Sequence, residues 1–246
     1  MRAGRYIMTG VIILAAGLAA HRAGAGQEGA ETRVPVHQEP RHHLVYDSPS
    51  MRILDIQIPP GDQTLYHTHD TAILYVPIAR SQTRSQEWGG EWSGGGSAVA
   101  AAPAAAPAPE RPGRVNSVTT YVGKPYTHRV NNTGASLFRL VGIANRTPGA
   151  EGALALPGAP ELENRWYRAE RLVIKAGASA GLPRHSGPIV IVMQTPGTAA
   201  VDGATWHPLN GPGDLVRIDG AVACTVFNRG AHDIELVAVL VKGVSG

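Results

Sequence analysis

The sequence predicts an all-β chain of two tandem jelly-roll (double-stranded β-helix) barrels behind an N-terminal signal peptide. Three observations carry this. Short runs rich in Val, Ile, Leu and Tyr alternate with Gly, Pro, Asn and Asp turns almost to the C-terminus. Little of the chain has the period of a long amphipathic helix. The two halves of the chain also repeat one another. At 246 residues and 43% hydrophobic content, the chain can bury one large or two small cores.

The first 25 residues form a basic start, MRAGRY, an apolar run, IMTGVIILAAGLAA, and small residues at 23–25, the layout of a signal peptide cleaved near Ala25. The run is shorter than the ~20 apolar residues that span a bilayer, so an uncleaved anchor is the lesser alternative and a secreted or periplasmic protein is expected. Removing Arg2, Arg5 and Arg22 turns a formal charge of +3 into 19 residues of each sign. A near-neutral mature chain argues against a nucleic-acid partner. Cys224 is the only cysteine, so no intramolecular disulfide is available and stability has to come from packing or a metal.

Residues 26–41 read as an irregular leader, and a first barrel is expected over 42–147 from runs such as MRILDIQI, AILYVPI and SLFRLVGI. Within it, residues 94–113 are a Gly/Ala/Pro insertion with too few large side chains to pack. Residues 148–165 are rich in turn formers and read as a linker. A second barrel is expected over 166–246, from ERLVIKAG, IVIVMQTPG and IELVAVLVK.

The repeat is visible without gaps in two places. GDQTLYHTHDTAILYV, from Gly61, lies over GASAGLPRHSGPIVIV, from Gly177, which sets His69 on His185 and His67 on Pro183. HRVNNTGASLFRLV, from His128, lies over CTVFNRGAHDIELV, from Cys224, which matches Asn132 with Asn228 and Gly134 with Gly230. The two alignments differ by 20 positions, and the 94–113 insertion has that length, so one inserted loop in the first copy reconciles them.

His67 and His69 are two residues apart, so on a strand they share one face, together with Leu65, Thr71, Ile73 and Tyr75. A lone interior histidine is ordinarily a hydrogen-bonded core residue. A third one, His128 in GKPYTHRVNNTG, changes the balance, because several imidazoles converging in an apolar interior need protons or a metal to organise them.

The spacing of Gly61, His67 and His69, followed by Pro125, His128 and Asn132, resembles the two motifs of the cupin superfamily, and the duplication resembles a bicupin. The resemblance implies a small β-barrel in which His67, His69 and His128 hold one divalent transition metal, Fe first, with Mn, Ni, Zn or Cu as alternatives. Cupins usually add a glutamate four or five residues after the second histidine; here those positions are Ile73 and Leu74. Some cupin-type thiol dioxygenases are similar in using three histidines alone. Three protein ligands leave positions for substrate and oxygen, and a neutral set keeps the full metal charge, which favours an anionic substrate. Asp70 points to the other strand face. Glu87 and Glu91 stand before the insertion, within reach of a barrel mouth or simply in solvent, and Tyr75 and Tyr126 share faces with the ligands.

In the second copy only His185 and Cys224 remain at ligand positions, so a structural barrel, offering a dimer edge, is expected there. The expected function is metal-dependent oxygenation of a small organic substrate. A non-catalytic ligand- or metal-binding module is the alternative, and a metal-free structural barrel the third reading.

Overall fold

A computed structural model of the chain describes residues 31–94, 113–150, 159–203 and 205–244. The expected signal peptide, nearly all of the 94–113 insertion and residues 151–158 of the expected linker lie outside the described residues. Among the described residues there is no α-helix, and no helix is long and apolar enough to cross a membrane.

The first half contributes β1 (Arg33–Pro35), β2 (His42–Asp47), β3 (Met51–Ile58), β4 (Tyr66–His69), β5 (Ala72–Ala79), β6 (Thr83–Glu87), β7 (Trp92–Gly94), β8 (Asn116–Val118), β9 (Tyr126–Asn132) and β10 (Phe138–Asn145). They form two five-stranded sheets, β1-β4-β9-β6-β7 and β2-β3-β10-β5-β8. The second half contributes β11 (Leu162–Glu163), β12 (Tyr167–Ile174), β13 (Ser179–Leu182), β14 (Ile189–Met193), β15 (Ala199–Asp202), β16 (Trp206–Leu209), β17 (Leu215–Ile218), β18 (Cys224–Asn228) and β19 (Ile234–Val241). Their sheets are β11-β12-β19-β14-β17 and β13-β18-β15-β16. This is the expected pair of jelly-roll barrels.

Three expectations need correction. The leader is not irregular over residues 33–41: β1 pairs in parallel with β4, setting Val34 beside His67, and a 3-10 turn over Val36–Gln38 leads to β2. The expected linker contains β11, which pairs with β12. The third correction concerns the insertion. Ile73 faces Val118 in barrel 1 and Ile189 faces Ile218 in barrel 2, yet Val118 stands fourteen residues before Asn132 and Ile218 only ten before Asn228. Four of the 20 extra residues therefore lie between β8 and β9, where the 3-10 turn Thr120–Val122 forms.

The duplication extends to individual hydrogen bonds. Asn132 Nδ2 donates to the carbonyls of Ile58 and Ser136, both at 2.8 Å, while Oδ1 accepts the Gly134 amide at 3.1 Å. Asn228 makes the same three bonds, to Ile174 at 3.0 Å, His232 at 2.8 Å and Gly230 at 2.9 Å. Gly61 and Gly177 turn the chain at φ of 76° and 70°, the left-handed region open to glycine.

Side-chain alternation explains why β14, and β19 from Leu236 onward, read as unbroken apolar runs. Ile189, Ile191 and Met193 pack inside barrel 2, whereas Val190 and Val192 pack with Leu74, Val76, Val141 and Ile143 of barrel 1. Strands buried on both faces have no polar face to show. Tyr167 pins this junction: its hydroxyl lies 2.7 Å from the Ala72 carbonyl and 2.9 Å from that of Ile143, and accepts the Asn145 amide at 3.0 Å.

Candidate metal centre

The three predicted histidines meet because β4 and β9 are neighbours. His67 stands directly opposite His128, and cross-strand partners in an antiparallel pair share a face; His69 joins them by the two-residue period. The ligand nitrogens of the three lie within 4.8 Å of one another, a group that could hold a metal ion, and it is the one such group of three or more among the described residues.

A bulge sets this register. Four residues step from Gln63 to His67 where three step from Asn131 to His128. The extra residue turns Leu65 outward, 39% exposed, which corrects its expected place on the histidine face. Its carbonyl accepts from His67 Nδ1 at 3.0 Å, so His67 keeps its Nε2 lone pair free. His128 Nδ1 lies 3.0 Å from Ser85 Oγ, and that hydroxyl in turn reaches the Arg129 carbonyl at 3.4 Å. With the serine proton given to the carbonyl, Oγ accepts from Nδ1 and leaves Nε2 of His128 bare.

Burial holds all three imidazoles neutral. It pushes His67 and His69 far below the ordinary histidine range, reinforced at each by neighbouring imidazoles. His128 is pushed down to about 4, by burial first and then by the His42 ring. Nε2 of His69 and of His128 are 3.2 Å apart. Without a metal one must hold a proton between them. A cation that draws on both lone pairs could replace that proton. The donor set therefore fits a transition metal of the imidazole-binding kind.

The group opens on a cavity of about 380 Å³, a size suited to a small molecule. Its walls include Ile56, Ile58, Pro77, Phe138 and Leu140, with Tyr75 among them as expected. Burial pushes the Tyr75 phenol up, so it stays protonated. Tyr126 is not one of the lining residues. Instead Tyr121, from the 3-10 turn, stacks between His69 at 5.0 Å and Tyr126 at 5.6 Å and lines the cavity itself.

Glu87 and Glu91 are exposed and do not line the cavity, and Asp70 is exposed beside β1. Ile73 and Leu74 are fully buried, so no carboxylate enters from the usual cupin position. Sequence reasoning missed Glu39 and His42. Both are buried, His42 Nδ1 lies 2.6 Å from Glu39 Oε2, and the His42 ring stands 4.5 Å from that of His67. The signal was the run EPRHH at 39–43, at the end of what read as a leader.

In barrel 2 Cys224 is packed in the interior cluster, and burial pushes its thiol up to about 11, so it is a thiol and not a metal-ready thiolate. His185 lies past the end of β13 and bonds the Gly187 carbonyl at 2.6 Å.

No protein-family model matches the chain, and no curated protein matches it. Solved structures do match, at low identity. The salicylate 1,2-dioxygenase from Pseudaminobacter salicylatoxidans aligns over 79% of this chain and 72% of its own, at 10% identity and a TM-score of 0.52. AerE from Microcystis aeruginosa aligns over 82% of this chain and 98% of its own, at 11% and 0.51. Vicilin from Capsicum annuum aligns over 78% and 76%, at 12% and 0.50. At these identities the likeness concerns the fold. Together with the strand order and the duplicated asparagine bonds, it assigns the chain the two-barrel jelly-roll fold of these structures.

Proposed function

We propose that the chain is a metal-dependent oxidoreductase of the dioxygenase type, acting from barrel 1 on a small organic substrate with an anionic group. The observation that carries this reading is the neutral three-histidine group opening on an apolar cavity of about 380 Å³. His67, His69 and His128 would hold the metal through Nε2. Fe is the first expectation, and bound there it would supply a Lewis-acidic, redox-active centre.

The chain's own residues do the rest. Ile56, Phe138 and Leu140 exclude water from the bound molecule. Tyr75 offers a phenol that keeps its proton. Arg80 lines the cavity from an exposed position and has no ion-pair partner among the described residues, which suits it to the substrate's anionic group. One of the matching structures is by its name a salicylate 1,2-dioxygenase, which agrees with the reading without carrying it. The basic and apolar N-terminal segment supports export to a secreted or periplasmic location.

A second reading, a non-catalytic ligand- or metal-binding module, is favoured by the absence of a carboxylate at Ile73 and Leu74. Two measurements decide. Protein purified without added metal should contain about one transition-metal ion per chain by mass spectrometry, and His128→Ala should lose it. Unchanged stoichiometry in His128→Ala would sink the site assignment. Oxygen uptake by the metal-loaded protein across thiols, enediols and phenols separates the enzyme from the binder, and silence across the panel selects the binder.

A further inference from the structure

We infer that His42, held by Glu39, positions a hydroxyl group of the bound molecule, so that the cavity selects ligands carrying a second hydroxyl beside the metal-binding one. The inference rests on the metal-centre reading above and adds a residue pair and a ligand chemistry to it.

The pair is built as a fixed polar handle. Glu39 is 2% exposed, and each of its oxygens is engaged: Oε2 takes the Arg41 amide at 2.6 Å and His42 Nδ1 at 2.6 Å, while Oε1 takes the Leu65 amide at 3.2 Å. The last of these bonds ties the carboxylate to the bulge that sets the ligand register. A carboxylate accepts, so His42 Nδ1 is the donor and the ring is locked in place. His42 itself is 5% exposed and lines the cavity, and none of the described residues hydrogen-bonds its Nε2. With Nδ1 engaged by Glu39, Nε2 is the ring nitrogen left to meet the bound molecule.

Its place relative to the ligands defines what it would meet. The His42 ring is 4.5 Å from that of His67, much as the His128 ring is 4.6 Å from His67 on another side. Close ring contacts to His69 are made by His67, His128 and Tyr121, not by His42. His42 therefore stands outside the three-histidine group, one ring away from the atoms that would bind metal. A molecule held at that group through one oxygen can bring an adjacent hydroxyl to His42 Nε2, whereas an ether at the same place has no proton to offer. A hydroxyl can both donate and accept at that nitrogen and a methyl ether can do neither as freely, so the site should discriminate between the two.

The test uses the zinc-loaded full chain and two probes, catechol and its monomethyl ether guaiacol, with dissociation constants from titration calorimetry. Both probes keep one hydroxyl for the metal, and only catechol offers a second. Wild type should prefer catechol by about tenfold or more. His42→Phe, which keeps a ring in the space, should reduce the preference to within about twofold, and His42→Gln, which returns an acceptor, should recover part of it. General damage to the cavity weakens both probes together and leaves their ratio in place, so the ratio reports positioning. If His42→Phe does not fold, Glu39→Gln decides, because it removes the carboxylate that holds the ring in place and should lower the same ratio. An unchanged ratio in whichever variant is read overturns the inference. So does failure of stoichiometrically zinc-loaded wild type to bind catechol, which leaves the metal centre standing; failure to take up zinc overturns the centre and the inference together.

Discussion

Ser85→Val isolates the contribution of one hydroxyl to the metal centre. Ser85 Oγ is the partner of His128 Nδ1, at 3.0 Å, and passes its own proton toward the Arg129 carbonyl. Valine removes the acceptor and leaves the ring free to place its proton on Nε2, the nitrogen the metal needs. Loss of such a partner typically reduces metal affinity about 10–100-fold, which is about 1.4–2.7 kcal/mol. The fold should tolerate the change, because barrel 2 already carries it: Ser85 faces Val130 in the sheet as Val201 faces Val226, and Val201 is fully buried. Competition titration of zinc against a chelator gives the affinities, and thermal melting of the metal-free proteins shows whether the fold is equal. Ser85→Thr, which keeps the hydroxyl, should stay within a few-fold of wild type. Equal zinc affinity in wild type and Ser85→Val would refute the tautomer argument, and with it the assignment of Nε2 as the His128 ligand atom.

Two further outcomes follow from buried polar groups. Tyr167→Phe removes the hydroxyl that joins Ala72, Ile143 and Asn145 across the two barrels; it should cost about 1–3 kcal/mol and lower the melting temperature by about 5 °C, and an unchanged melt would remove Tyr167 as the pin of the junction. The metal-free protein should lose stability as pH falls through the histidine range. His67, His69 and His128 are held neutral below the ordinary histidine value of 6.5, so the unfolded chain binds their protons first. Their contribution is complete above that value and is lost as pH falls below it, for His128 toward about 4. Each contributes up to about 1.4 kcal/mol per pH unit in that window. Melting curves between pH 7 and 5, above the ordinary carboxylate range, should show the decline. The triple variant His67→Gln, His69→Gln, His128→Gln should flatten it, and a slope that persists there would assign the loss to other groups.

The centre was legible in the sequence as far as strand period and duplication reach. His67 and His69 follow from the two-residue period, and His128 from the copy that carries Asn132 as the second carries Asn228. Leu65 was misplaced because period alone cannot see an inserted residue, and the bulge shows only in the pairing of Gln63 and His67 with β9. Glu39 and His42 were missed for a different reason. A three-residue strand such as β1 has too little pattern to register, and its parallel pairing with β4 is a long-range contact. Tyr121 was hidden because all of the extra residues of the first copy were assigned to the insertion at 94–113, whereas four of them build the turn that carries it. The serine behind His128 was within reach, since Ser85 and Val201 align at the same ungapped offset as His69 and His185.

The two barrels divide the work that one scaffold cannot do alone. Where barrel 1 has His67, His128 and Ser85, barrel 2 has Pro183, Cys224 and Val201, and its interior is packed with residues such as Leu182, Ile191 and Leu236. Among the described residues the corresponding cluster of barrel 1 has Val36, Leu54, Ile56 and Ile58 as its buried members, and Tyr75, Val130, Phe138 and Leu140 beside them are only partly buried where they border the cavity. A hollow barrel lined by unprotonated histidines forgoes packing that would otherwise stabilise it. The junction compensates on the wall where it matters. On β5, Tyr75 faces the cavity while Leu74 and Val76 pack at the junction, and on β10 Leu140 faces the cavity while Val141 and Ile143 do the same. The cavity wall is thus the back of a close-packed interface, so its side chains cannot relax inward without opening that interface. The second barrel therefore contributes to the site while holding none of its ligands: it keeps the wall opposite the histidines in place.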